Sequence, residues 1–278
     1  MPPLPSHYDL TGRAALITGG AGLLGAEHAA ALAMVGAQVT LADIDATALD
    51  KAKAALADRG YGDQIATVVM DVTNKASIEE ARAAASDRQH GIDILINNAA
   101  IDAKVDEEGI IGGGGQFESF SLEDWQREMD VGLTGAFLCA QVFGQEMAAR
   151  GAGVILNISS DLSVIAPDQR IYADAGLAPE QQAKKPVTYS VIKTGLIGLT
   201  RYLAAYWADS GVRVNAISPG GVENGQSDEF ITRLSALIPM GRMAARNEYA
   251  GALQFLCSDA SRYMTGQNIV IDGGRSIL

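Results

Sequence analysis

Tyr189 and Lys193 stand four places apart in the stretch TYSVIKTG, residues 188–195. The surrounding residues carry apolar side chains at helical spacing and no internal proline, so the pair falls on one face of a predicted helix. An ammonium beside a phenol favours the phenolate and lowers its pKa from the ordinary value of about 10. A tyrosine so placed can take the hydroxyl proton of an alcohol and, in the reverse direction, return it. Taken alone, the pair reads more simply as a surface contact worth roughly 0.3 kcal/mol.

A second group of residues bears on that choice. TGGAGLLG, residues 18–25, follows a predicted strand and opens a predicted helix. Glycines at 19, 22 and 25 let backbone approach a pyrophosphate, and a helix N-terminus offers N–H groups and a positive dipole end. The spacing is not G-x-G-x-x-G. Asp43, in LADID, lies 24 residues after Gly19, near where a carboxylate would accept hydrogen bonds from a ribose 2′-hydroxyl. Its charge would repel a 2′-phosphate and no Arg or Lys stands beside it, which favours NAD over NADP. The alternative is that Asp43 or Asp45 caps the next helix.

The elements that must position these residues alternate. Strands are expected at 14–18, 38–42, 65–70, 92–97, 154–158, 213–217 and 268–271. Most are continuous apolar runs, the pattern of strands covered on both faces. Helices are expected at 24–35, 46–58, 75–88, 121–149 (one bent or two), 188–208 and 246–258. The pattern implies an α/β fold: one Rossmann-like, doubly wound parallel sheet of about seven strands with helices on both faces. With no linker in view, residues 1–278 are read as a single domain. Two segments break the alternation, 101–120 and 161–187, each following a strand's C-terminus, the edge where ligands bind in open α/β sheets. Both are expected to be substrate loops.

Composition narrows the function. A net charge of −12 argues against nucleic acid and against anionic membrane surfaces. Cys139 and Cys257 are too few for a disulfide framework and sit in apolar helical stretches, so both read as small buried hydrophobes. His7, His28 and His90 lack metal-ligand spacing, so no metal is expected. The N-terminal MPPLPSHYDLTGR has no apolar leader core, and a cytoplasmic location is expected.

TGGAGLLG, DVT at 71–73, NNAA at 97–100, NISS at 157–160, YSVIK at 189–193 and SPGGV at 218–222 occur in this order. Together they resemble the short-chain dehydrogenases/reductases over nearly the whole chain. The resemblance implies an NAD-dependent oxidoreductase moving hydride between a nicotinamide and a secondary alcohol or ketone. It implies Ser160, Tyr189 and Lys193 as the catalytic set, with Ser160 on the substrate oxygen and Lys193 also on the nicotinamide ribose. Gly19, Gly22, Leu24 and Gly25 would form the phosphate turn, and Asp43 with Ile44 the ribose contact. Asp71 and Val72 would meet the adenine. Asn98 and Ala99 would line the ribose side through their backbones, with Asn97 tying strands together. Pro219, Gly220 and Val222 would hold the carboxamide. Homodimers or homotetramers built through the helices at 121–149 and 188–208 are also implied.

Several departures stand out. Leu23 occupies a position where glycine is usual, and so does Ala100. Gly132, in MDVGLTGAF, stands where members commonly carry an asparagine that holds a water behind the lysine. Either a water fills the vacated space or the helices pack closely there. Tyr189 follows Ser160 by 29 residues, a long gap occupied by loop 161–187, which offers Asp161, Gln169, Arg170, Tyr172 and Lys185 as polar contacts. This loop and the ending DGGRSIL are similar to a branch described as flagellin-modification or sugar-nucleotide oxidoreductases, which implies a sugar-like substrate. A silent NAD-binding sensor or scaffold remains the alternative. A sugar epimerase would need a larger C-terminal substrate region.

Overall fold

The computed structural model describes residues 6–89, 91–101, 116–174 and 176–278. Seven parallel strands, β1 (Ala14–Thr18), β2 (Gln38–Asp43), β3 (Ile65–Val69), β4 (Ile94–Asn97), β5 (Gly153–Ile158), β6 (Val212–Pro219) and β7 (Asn268–Ile271), form one sheet in the order β3-β2-β1-β4-β5-β6-β7. The order reverses between β1 and β4, and the crevice outside the strand C-termini at such a switch point is where α/β sheets take ligands.

Period-2 alternation sends successive strand residues to opposite faces, and both faces are buried. Ile17, Val39 and Leu41 join a core with α1 (Leu23–Ala33), α2 (Ala46–Asp58) and α9 (Ala250–Cys257). Leu16, Leu95 and Val214 join a second core with α3 (Lys75–Gln89), α5 (Gly135–Cys139), α6 (Gln145–Arg150) and α7 (Val187–Tyr206). That two-sided burial explains the uninterrupted apolar runs. Cys139 and Cys257 are buried free thiols pushed up to about 12 by desolvation, as expected of small hydrophobes.

The expected helix at 121–149 is a continuous rod: α4 (Leu122–Met129), α5 and α6 joined by π-type turns at Asp130–Thr134 and Ala140–Gly144. Its glycines are contact points. A Cβ on Gly132 would lie 2.7 Å from Ile192 Cγ2, and one on Gly144 would lie 2.3 Å from the Trp207 ring. The vacancy at 132 is thus filled by Ile192, and the water-filled reading gives way to close packing of the two helices.

Other expectations shift at their ends. The last helix begins at Ala250 rather than 246, and β6 runs on to Pro219. Helix α8 (Asp228–Ser235) was not expected. Its signals were Ser227, whose hydroxyl accepts from Phe230 N–H at 3.3 Å, acidic residues in the first turn, and Phe230, Ile231 and Leu234. Of the expected loop 101–120, residues 102–115 lie outside the described residues.

Candidate active site

One cavity at the C-terminal edge of the sheet is lined by Gly19, Gly22, Leu24, Asp43 and Asn98 at one end and by Ser160, Tyr189, Lys193, Pro219, Gly220 and Val222 at the other. The glycine turn is shaped by contact. Gly19 has φ +61°, and a Cβ there would lie 2.8 Å from Ala99 Cα. A Cβ on Gly25 would lie 2.4 Å from the Gly19 carbonyl oxygen. Gly22 precedes α1 with no side-chain cap, which leaves the first N–H groups of the helix to whatever enters the cavity. Asp43 braces the turn, Oδ2 accepting from Ala21 N–H at 3.2 Å. The helix cap is Asp45, which accepts from Ala48 N–H at 3.0 Å. Asp43 is therefore not the cap.

Asn98 Nδ2 donates to the carbonyls of Thr18 and Gly19 at 2.9 and 3.0 Å. Thr18 Oγ1 accepts from the N–H groups of Asn98 and Ala99, each at 3.0 Å. Ile44 and Asp71 line an adjoining hollow with Ile101, Leu122 and Val131, and Asp71 Oδ1 accepts from Thr73 N–H and Oγ1 at 2.8 and 2.7 Å. The Val72 side chain is buried in the core against Gly135, so any adenine contact there falls to its backbone.

At the other end, α7 starts just past Pro186 and carries Tyr189 into the cavity. Lys193 is buried; its Nζ donates to the Ile158 carbonyl at 2.9 Å and lies 5.5 Å from the Tyr189 ring centroid. A second ammonium, Lys185 Nζ, sits 3.8 Å from the same centroid. Helix α7 is pinned to the sheet twice. Ser159 Oγ donates to the Lys193 carbonyl at 2.7 Å. A buried chain runs from Asn97 Nδ2 to Asn157 Oδ1 and from Asn157 Nδ2 to Thr200 Oγ1, each at 2.8 Å, so Asn97 ties strand to strand and onward to the helix.

Loop 161–187 divides its polar residues. Asp161, Tyr172 and Lys185 line the cavity. Gln169 instead clamps the Lys185 backbone, accepting from its N–H at 2.8 Å and donating to its carbonyl at 3.3 Å. Arg170 is 87% exposed and forks onto Asp168, holding that carboxyl down to about 2 chiefly through the hydrogen bond. Neither meets the cavity. Among the residues that the sequence did not single out are Arg275, Asn224, Gln226 and Met243, which line the cavity, and the buried Tyr249, whose hydroxyl donates to the Gly220 carbonyl at 3.1 Å and whose pKa burial drives upward.

A close backbone cradle, an uncapped helix N-terminus and a carboxylate at the next strand end suit a nicotinamide dinucleotide. A family model described as enoyl-(acyl carrier protein) reductase matches residues 20–276. The chain belongs to the short-chain dehydrogenase/reductase family. Among its relatives, D-threitol dehydrogenase of Mycolicibacterium smegmatis is 35% identical over 276 residues, covering 97% of this chain and 95% of its own. NAD-dependent glycerol dehydrogenase of Listeria innocua is 32% identical over 275 residues, covering 97% and 96%. The crystal structure of gluconate 5-dehydrogenase from Burkholderia cenocepacia, in complex with NADP and tartrate, matches at TM-score 0.82 and 29% identity over 98% of each chain. This short-chain dehydrogenase/reductase is an oxidoreductase that transfers hydride between a nicotinamide cofactor and an alcohol or ketone. Among the described residues no helix is long and apolar enough to cross a membrane, and no metal-binding cluster is found.

Proposed function

We propose that the protein is an NAD-dependent dehydrogenase of polyols or closely related sugars, with Tyr189 as the acid/base. The observation that carries this reading is the meeting of Ser160, Tyr189 and Lys193 with the glycine turn and Asp43 around one cavity. The bound nicotinamide supplies the hydride acceptor. Tyr189 Oη takes the substrate hydroxyl proton, its phenolate favoured by the ammonium groups of Lys193 and Lys185. Ser160 Oγ holds the substrate oxygen. Lys193 also holds the ribose hydroxyls on the nicotinamide side.

Asp43 accepts from the adenosine ribose hydroxyls and repels a 2′-phosphate, which supports NAD. Asp71 and Ile44 flank the adenine in the adjoining hollow, with the Val72 backbone beside them. Gly19, Gly22 and Leu24 would carry the pyrophosphate, with Gly25 packed against the Gly19 carbonyl to hold the turn, and Pro219, Gly220 and Val222 the carboxamide. Relatives named for threitol and glycerol support a small neutral polyol over a nucleotide-linked sugar. Residues 1–278 are read as one domain built on the one sheet, with 101–120 and 161–187 as substrate loops. Self-association is assigned to the face where Phe137, Tyr202 and Tyr206, 44%, 64% and 66% exposed, border one hollow on α5 and α7. The location is taken as cytoplasmic.

The test is turnover of D-threitol, glycerol, galactitol and a steroid alcohol with NAD and with NADP. Polyol oxidation with kcat/KM about tenfold or more in favour of NAD is expected. Activity confined to the steroid would end the polyol reading. A protein that binds NADH and oxidises nothing would restore the sensor or scaffold.

A further inference from the structure

A serine hydroxyl and a carboxylate sit side by side at the substrate end of the cavity. Ser160 Oγ donates to Asp161 Oδ1 at 2.8 Å. Both side chains are buried, and both residues line the cavity with Tyr189. The other carboxylate oxygen, Asp161 Oδ2, accepts from Arg275 Nη1 at 2.8 Å, in an ion pair whose side chains are 8% (Arg275) and 4% (Asp161) exposed. Arg275 supplies the countercharge that lets a carboxylate hold this place. It reaches Asp161 from the C-terminal turn, where the Asp272 carboxylate accepts from Gly274 N–H at 2.9 Å and Ser276 N–H at 2.7 Å.

Turnover makes a demand on this arrangement. Tyr189 takes the proton of the reacting hydroxyl, and Ser160 gives its own proton to the same oxygen as a hydrogen bond. A serine hydroxyl has a single proton, so Ser160 must turn away from Asp161 to do so. Asp161 Oδ1 then loses a charge-assisted hydrogen bond, stronger than a neutral one, and a buried carboxylate oxygen left without its donor is costly. A second hydroxyl on the neighbouring carbon of the substrate removes that cost. Oxygens on adjacent carbons in a gauche rotamer lie about 3 Å apart, close to the 2.8 Å between Ser160 Oγ and Asp161 Oδ1. The reacting oxygen can therefore meet Ser160 and Tyr189 while its neighbour donates to Asp161. Ser160 Oγ keeps the bond it accepts from Leu162 N–H at 3.2 Å. The match survives oxidation. The ketone oxygen accepts from Ser160 and from the protonated Tyr189, and the neighbouring hydroxyl still donates to Asp161.

Resting on the dehydrogenase reading above, we propose that Asp161 is a specificity-determining residue that accepts from a second substrate hydroxyl next to the reacting one, with Arg275 as its positioning residue, so that the site selects vicinal diols over alcohols that lack a proton donor on the neighbouring carbon.

The probes are 2,3-butanediol of the D-threitol configuration and 3-methoxy-2-butanol of the same configuration, which keeps the second oxygen but has no proton on it. Each competes with oxidation of D-threitol, or of glycerol if only glycerol is turned over. Its inhibition constant is thus read whether or not the probe itself reacts. The methyl ether is expected to bind the native enzyme about tenfold or more weakly than the diol. In Asp161→Asn the amide oxygen stays on Arg275 and the amide N–H faces the cavity, a donor where an acceptor stood. The preference for the diol should then fall by about tenfold. The ether's methyl group is the same in both enzymes, so the change reads the polarity at residue 161. The double variant Asp161→Leu with Arg275→Met is an apolar pair of the kind that often replaces a buried ion pair without loss of stability, and it should lose the preference as well. Equal affinities in the native enzyme overturn the proposal. So does a folded Asp161→Asn that weakens both probes alike, which is what a purely structural role would do. If circular dichroism shows Asp161→Asn unfolded, the native ratio and the double variant decide. Failure to oxidise either polyol removes the dehydrogenase reading and this inference with it, whereas an unmoved ratio in an active enzyme removes the inference alone.

Discussion

The two ends of the cleft are built by different means. At the glycine turn the tightest contacts are made by backbone atoms, within the turn where Gly25 meets the Gly19 carbonyl and across to Ala99 Cα, with Asp43 and Asn98 bracing the main chain from outside. At the Tyr189 end, side chains arrive from the end of β5, from loop 161–187, from α7 and from the C-terminal turn, and charges meet there. The first end is therefore sensitive to volume and the second to charge and hydrogen-bond polarity. A backbone cradle has no rotamer to yield, whereas a side-chain cluster can repack but cannot lose a partner cheaply.

The largest expected effect breaks the chemistry at the charged end alone. Tyr189→Phe should lower kcat by about 10³-fold, within the range of general acid–base loss, and leave NADH affinity, read by fluorescence, within about twofold. Near-native turnover would dissolve the distinction between the two ends.

The next effect belongs to α1, behind the glycine turn. His28 is buried and, among the described residues, neither ring nitrogen has a hydrogen-bond partner; burial pushes its imidazole down to about 3. Its ordinary value is about 6.5, so the unfolded chain binds this proton more readily than the folded one. The stability it permits is complete above pH 6.5 and is lost progressively as pH falls toward 3. Between pH 6.5 and 4 the loss should be about 3 kcal/mol. Urea unfolding of the native protein and of His28→Leu across that window measures it, and parallel pH slopes would refute it.

The smallest effect sharpens the contrast directly by adding one methyl on each side. Gly132→Ala meets the Ile192 side chain and Gly25→Ala meets backbone oxygen, at 2.7 and 2.4 Å. Each should cost roughly 1–3 kcal/mol in thermal unfolding. In an Ile192→Ala background, itself destabilised by loss of a buried side chain, Gly132→Ala should cost almost nothing further, because the neighbour it meets has been trimmed. The loss at Gly25 has no such remedy. An undiminished Gly132→Ala cost in that background would mean that Ile192 is not what fills the gap.

Legibility followed the range of the signal. The strands were readable because burial on both faces leaves uninterrupted apolar runs, and the turn because Gly19, Gly22 and Gly25 lie within one short stretch. The Tyr189–Lys193 pairing was readable because helix geometry alone places i and i+4 together. Helix α8 was missed because eight residues give too few turns for a periodic signal. Arg170 and Gln169 looked equivalent to Lys185 as polar loop residues. Only the clamp between Gln169 and Lys185, and the pairing of Arg170 with Asp168, separate them.

By itself the chain's order of residues determined the alternating elements, the parallel sheet and the spacing of groups along each helix or turn. Those depend on periodicity and on steric rules that act within a few residues. Tertiary structure alone decided that Ile192 fills the space beside Gly132, that Asp43 braces the turn while Asp45 caps the helix, and that Arg275 reaches Asp161. Each is a meeting settled by how whole elements pack, and no local rule carries that information.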